Sequence, residues 1–182
     1  MRIHDVARWT GLSLLMLLSA CSPSQNWRVV TFEASSLQTQ LPCKPDRTSR
    51  VVPLGGTPVE LQVVGCESGS SMVAVMTASL QPGADANALM LGWQKATLQN
   101  AKINEPLTAA QQKPWHRPGM LPLAASVQVQ APGFRANGEG VTMAAVWGAM
   151  AEGERVRLVH AVVYDKTISP EMANTLFDGI KP

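Results

Sequence analysis

The sequence is poor in aromatic residues, with 5% in total and a single tyrosine, and poor in charge, with Asp, Glu, Lys and Arg making up 15%. Wholesale disorder needs low hydrophobicity and a large net charge, and this chain has neither: 46% of it is hydrophobic and the formal net charge is +2. The first twenty residues hold Arg2, Arg8 and Asp5, so the remainder lies within one charge of neutral. No Lys/Arg run is present, and nucleic acid is not an expected partner. There are three histidines and three cysteines, and no CxxC pair. Metal sites usually draw on such close pairs, so neither a metal nor a cofactor is expected. No GxSxG occurs, and Gly55-Gly56 and Gly65–Gly69 lack the spacing of a phosphate-binding loop. The one long uncharged apolar stretch is 9–18, well short of the roughly 20 residues a permanent span needs.

That stretch follows a short start carrying Arg2 and Arg8 and precedes the small residues Ser19 and Ala20. A basic start, an apolar run and a small-residue cut site make a secretory signal peptide over residues 1–20. Its end, Leu18-Ser19-Ala20-Cys21, resembles the bacterial lipobox at all four positions. The resemblance covers only the leader. It implies that the Cys21 thiol carries a diacylglyceryl group and that cleavage falls just before it, leaving residues 21–26 as a lipidated tether. Several acyl chains at about 0.8 kcal/mol per buried methylene hold a protein firmly to a membrane. Ser22, where retention in the inner membrane uses Asp, implies a place on the periplasmic side of the outer membrane.

With Cys21 assigned to lipid, Cys43 and Cys66 remain. The export signal puts them where disulfides persist, and a Cys43–Cys66 bridge is expected. The alternative is a two-thiolate metal site.

Residues 27–182 read as one domain. Segments 26–32 and 36–41 read as short strands, and the prolines flanking Cys43 as an extended loop. TPVELQVVGC (57–66) and SMVAVMTASL (71–80) alternate and form a hairpin. Asp85 caps a helix over 85–101, with Leu89, Trp93, Ala96 and Asn100 on one stripe and Met90, Thr97 and Ala101 beside it. Residues 104–122 read as a long loop. Segments 126–131 and 133–138 read as strands joined at Pro132-Gly133. Strands 140–151 and 154–165 follow; in the second, Val156, Leu158, His160, Val162 and Tyr164 share one face, and Arg155, Arg157, Val159, Ala161 and Val163 the other. Ser169-Pro170 opens a final helix with Met172, Leu176 and Ile180 inward. Trp27, Trp93 and Trp147 are core candidates.

The fold expected is α+β, an antiparallel sheet with a mid-chain and a C-terminal helix packed on it. The element order, Leu41-Pro42 after the first strand pair and the closing Leu176-Phe177-Asp178-Gly179-Ile180-Lys181 resemble the PsbP-like α/β/α sandwich group. Leu37 stands where that group carries Phe. The resemblance implies small binding and assembly proteins, and a fold alone does not fix function.

No nucleophile with an adjacent base is apparent. His160 reads as a core or surface histidine, and Glu139, Glu152 and Glu154 as hairpin charges rather than paired carboxylates. The distinctive segment is Lys113-Pro114-Trp115-His116-Arg117-Pro118, an aromatic and cations on a proline-stiffened loop. Trp115, His116 and Arg117 are interaction candidates; Trp115 also fits a lid on the core. The function expected is a membrane-anchored, non-enzymatic envelope lipoprotein that binds a protein partner or assists assembly. The alternatives are a carrier with an apolar pocket of at least about 300 Å³ and an enzyme whose titratable groups converge in a cleft.

Overall fold

A computed structural model describes residues 25–104 and 106–182; the leader and Cys21 lie outside this range. The elements run β1 (Arg28–Thr31), β2 (Gln38–Leu41), β3 (Asp46–Leu54), β4 (Thr57–Ser68), β5 (Ser71–Ser79), α1 (Ala86–Asn100), β6 (Gln112–Pro114), β7 (Val127–Phe134), β8 (Gly140–Glu152), β9 (Arg155–Asp165) and α2 (Pro170–Asp178). The strands β3-β4-β5-β9-β8-β7-β6 form a seven-stranded sheet, antiparallel throughout, and β1 and β2 pair separately. Both helices pack on this sheet, so the chain is α+β, as its pattern predicts.

Strand alternation sorts the core into two layers. Val159, Ala161 and Val163 of β9 join Val73 and Val75, the β1–β2 ribbon and α2. Leu158 and Val162 join Met90, Trp93 and Leu98 of α1 on the opposite face. Each helix start is fixed by its cap: Asp85 accepts from Ala88 N at 3.0 Å, and Ser169 from Met172 N at 3.3 Å. Pro170 costs α2 nothing at its first position, where the missing N–H has no helical partner.

Four local readings change. Asp46–Leu54 forms β3, a strand whose exposed Arg47, Thr48, Ser49 and Arg50 hide the apolar alternation. Residues 127–134 form one strand through Pro132-Gly133, with the turn after it. Beyond Gln130, whose N–H reaches Gln111 O at 2.8 Å, β6 no longer flanks β7, so a proline there breaks no ladder bond. The buried stripe of α1 is Met90, Trp93, Gln94 and Leu98, whereas Ala96 and Asn100 are exposed. Gln94 is drawn inward because its amide donates to Ala125 O at 2.6 Å. Among the described residues, 104 and 106–122 are loop except for β6.

The β4–β5 ladder stops partway. Its last pair is Gln62–Thr77. Beyond it, Thr57–Leu61 continues with β3, while Ala78 and Ser79 continue with β9 opposite Leu158 and Arg157. The β3–β4 tip closes through Gly55-Gly56, both at positive φ (56° and 87°), which a two-residue hairpin turn requires. That tip leans on α1: a side chain at Gly92 would stand 3.1 Å from Gly55 N. Leu54, Val59 and Leu61 share a cluster with Met90 and Trp93. The hairpin tip therefore follows the helix while β5 stays with the sheet, and the sheet forks.

Candidate functional site

The fork opens a cleft of about 510 Å³. Val59, Leu80 and Leu89 wall it on the α1 side, and Glu60, Gln62, Thr77, Ser79 and Arg157 on the other. Glu33 and Ala34, in the β1–β2 connection, close one end.

Arg157 is buried at 3% exposure, at the end of the row Val159, Ala161 and Val163. Such a cation needs partners to offset its lost hydration. It has them: Glu152 Oε2 lies 2.7 Å from Nη2 and 2.8 Å from Nε, and Ala34 O accepts from Nη2 at 3.1 Å. Thr77, fully buried, spends its hydroxyl on Leu158 O at 2.9 Å. Burial opposes ionisation of Glu152, but Arg157, with Ser35 and the Ser36 backbone, more than offsets this and holds its carboxyl below the usual range. The pair is thus a neutral tie between β8, β9 and the β1–β2 connection. Its carboxylate is a weak base and its guanidinium is already engaged.

The two edges of the fork expose backbone. The two-residue turns at 55–56 and 69–70 make Leu54–Thr57 and Ser68–Ser71 hydrogen-bonded closing pairs. Alternation then turns the backbone groups of Pro58 and Glu60 towards β5, and those of Ser79 towards β4. On its other side β5 is satisfied, with Leu80 N–H on Val156 O at 2.8 Å. No ladder bond spans the fork.

Elsewhere, Cys43 and Cys66 are joined, with their Cα atoms 6.0 Å apart, as the cysteine count predicts. Cys21 falls outside the described residues. The Trp115 loop does not display its aromatic: Trp115 is buried at 7% exposure against the α2-side core, with its ring edge over Gly148. Arg117 binds the Asp178 carboxylate at 2.8 Å and the Asp178 carbonyl at 3.0 Å, which fastens the loop to the end of α2, and His116 alone of the three is exposed. The three glutamates do not converge. Glu139 pairs with Arg135 and Lys166, Glu152 with Arg157, and Glu154 is exposed.

His160 is wholly buried, stacked on Trp147 at 4.3 Å between ring centres and edge-on to Trp93 at 5.4 Å. Its Nδ1 stands 3.0 Å from Val146 O. A carbonyl only accepts, so Nδ1 carries the proton and Nε2, which has no partner, is bare. Burial lowers its pKa to about 4, the bond to Val146 opposing. The ring is neutral packing and faces no open cleft.

Sequence reasoning missed the fork. One legible signal was an arginine in a row of valines and alanine on β9, which calls for a buried counter-charge. Among the described residues no cluster of His, Cys, Asp and Glu suits a metal, and no helix is long and apolar enough to cross a membrane. Compared with family models, with curated proteins and with solved structures, the chain matches none.

Proposed function

We propose that this chain is a lipid-anchored domain of the bacterial envelope that acts by binding another envelope protein, with the sheet fork as its contact site. The observation that carries the reading is the fork itself. An interior sheet edge stands open beside a cleft whose buried cation, Arg157, is already held by Glu152 Oε2 and Ala34 O. A site built to hold something in place offers fixed walls and open hydrogen-bonding groups, and this one has both. The Leu18-Ser19-Ala20-Cys21 motif supports attachment through lipid on Cys21, and Ser22 supports the outer membrane. The Cys43–Cys66 bridge fits an oxidising compartment. The cleft exceeds the volume expected of a carrier, but Glu60, Arg155 and Arg157 stand among its apolar walls, which suits a peptide chain better than an acyl tail.

Two measurements test this. Cys21→Ala is expected to abolish lipid labelling and membrane fractionation; a variant that still fractionates with membrane refutes the anchor. A photo-crosslinking residue at position 60 is expected to yield one discrete adduct in cells, and the same residue at exposed position 174 none. Equal labelling at both, or none at either, refutes binding at the fork.

A further inference from the structure

We infer that the fork takes an extended peptide segment of the partner as an added strand between β4 and β5, with an apolar residue on one face and a basic residue on the other. This rests on the reading of the fork as a binding site.

The outer edges of the sheet are guarded against strand addition. β3 carries Arg47, Arg50 and Pro53, and β6 is three residues long with Lys113 and Pro114. Charge, proline and brevity are the usual means of blunting an edge. The inner edge at the fork lacks most of this protection. Pro58 removes one donor, but Glu60 and Ser79 keep both N–H and C=O turned into the gap. Strands pair at about 4.8 Å, and a guest seated between β4 and β5 would meet each of them at that distance. Because β4 and β5 run antiparallel, the guest is antiparallel to one and parallel to the other.

Side chains of an added strand alternate between faces. On the α1 side they meet Val59, Leu80 and Leu89, so an apolar residue fits. On the other side they meet Glu60 and Glu33, two exposed carboxylates that join no ion pair among the described residues. Arg155 stands across the cleft on β9, so the acidic wall is the β4 side. A Lys or Arg opposite Glu60 is the favourable cross-strand partner.

The test uses the purified lipidated protein in detergent and a synthetic Val-Lys-Val-Lys-Val peptide with blocked ends. Expected are saturable binding and slowed hydrogen exchange at the Glu60 and Ser79 amides. The N-methylated peptide keeps its side chains but loses its donors, and should bind at least about tenfold more weakly. The Val-Glu counterpart should be weaker by a similar factor, and Glu60→Lys should reverse that order. Ser79→Pro removes a cleft-facing N–H without touching the β9 ladder and should weaken binding about tenfold, whereas Ser79→Ala should not. Binding indifferent to N-methylation, or without protection of either amide, overturns strand addition. If the peptide fails to bind while position 60 still captures one partner in cells, this inference falls and the binding function stands; if both fail, both fall.

Discussion

Replacing His160 with phenylalanine should flatten the response of stability to pH between 7 and 5. The reasoning starts from the sealed ring, whose pKa is lowered from 6.5 to about 4 by burial. A tenfold change in proton affinity is worth about 1.4 kcal/mol, so the full effect is about 3 kcal/mol. The sign follows from which state binds the proton. Below pH 6.5 the unfolded chain protonates this histidine and the folded protein does not, so acid favours unfolding. The stabilisation is complete above pH 6.5, is lost as pH falls, and is gone at about 4. By pH 5 the loss is about 2 kcal/mol. Glu152 and Asp165 also have lowered pKa values, despite burial that opposes ionisation. Arg157 outweighs that burial for Glu152, and Ser71 and Ser70 for Asp165, and their contributions are lost as pH falls from the ordinary carboxylate value through the lowered one, almost wholly below about pH 5. The window from pH 7 to 5 therefore isolates the histidine. Urea titrations followed by tryptophan fluorescence at pH 7, 6 and 5 give the slope directly. A wild-type protein that loses less than about 1 kcal/mol across that window refutes the argument, as does His160→Phe with an unchanged slope.

Removing the Cys43–Cys66 bridge by a double serine substitution should cost about 3 kcal/mol, since the cysteines are 23 residues apart in sequence; a thermal melt in oxidising buffer checks it. Arg157→Met should cost about 3–5 kcal/mol by stranding Glu152. Adding Glu152→Gln to it should restore much of that loss, and a denaturant series in which the double variant is no better than the single one counts against the tie. Gly148→Ala should destabilise by about 1–3 kcal/mol through overpacking, because the new carbon would stand 2.6 Å from the Trp115 ring. Trp115→Ala should cost about 3–5 kcal/mol; near-native stability with loss of a partner would show a contact residue and not a lid.

The two-layer fold was legible because β5, β8 and β9 are dense in Val, Ala and Met and both helices carry clean caps. β3 was not, because an edge strand protected by arginine and serine reads like a loop. The face of α1 was misjudged by about one position because Gln94, a polar residue, takes a buried slot through its bond to Ala125. Such a bond depends on a residue 31 positions away and leaves no periodic trace. The fork has the same character. It arises where one hairpin leans on α1 and its neighbour does not, and the alternation of β4 and β5 is identical on either side of that point. Only Arg157, a charge among apolar neighbours, marked the place in the sequence.

The bridge between Cys43 and Cys66 also governs how the domain bears a pull. Asn26 donates to Pro42 O at 2.9 Å, and Pro42 adjoins Cys43. Tension arriving from the N-terminal side can thus pass from residue 26 to residue 42 and through sulfur into β4, which lies inside the sheet with strands on both flanks. Without the covalent link, the same tension would run along the backbone to Asp46 and begin peeling β3 from the margin, one hydrogen bond at a time. The cysteines therefore direct the load beyond the β1–β2 ribbon into an interior strand and not onto the sheet margin, as the proposed N-terminal anchor would require.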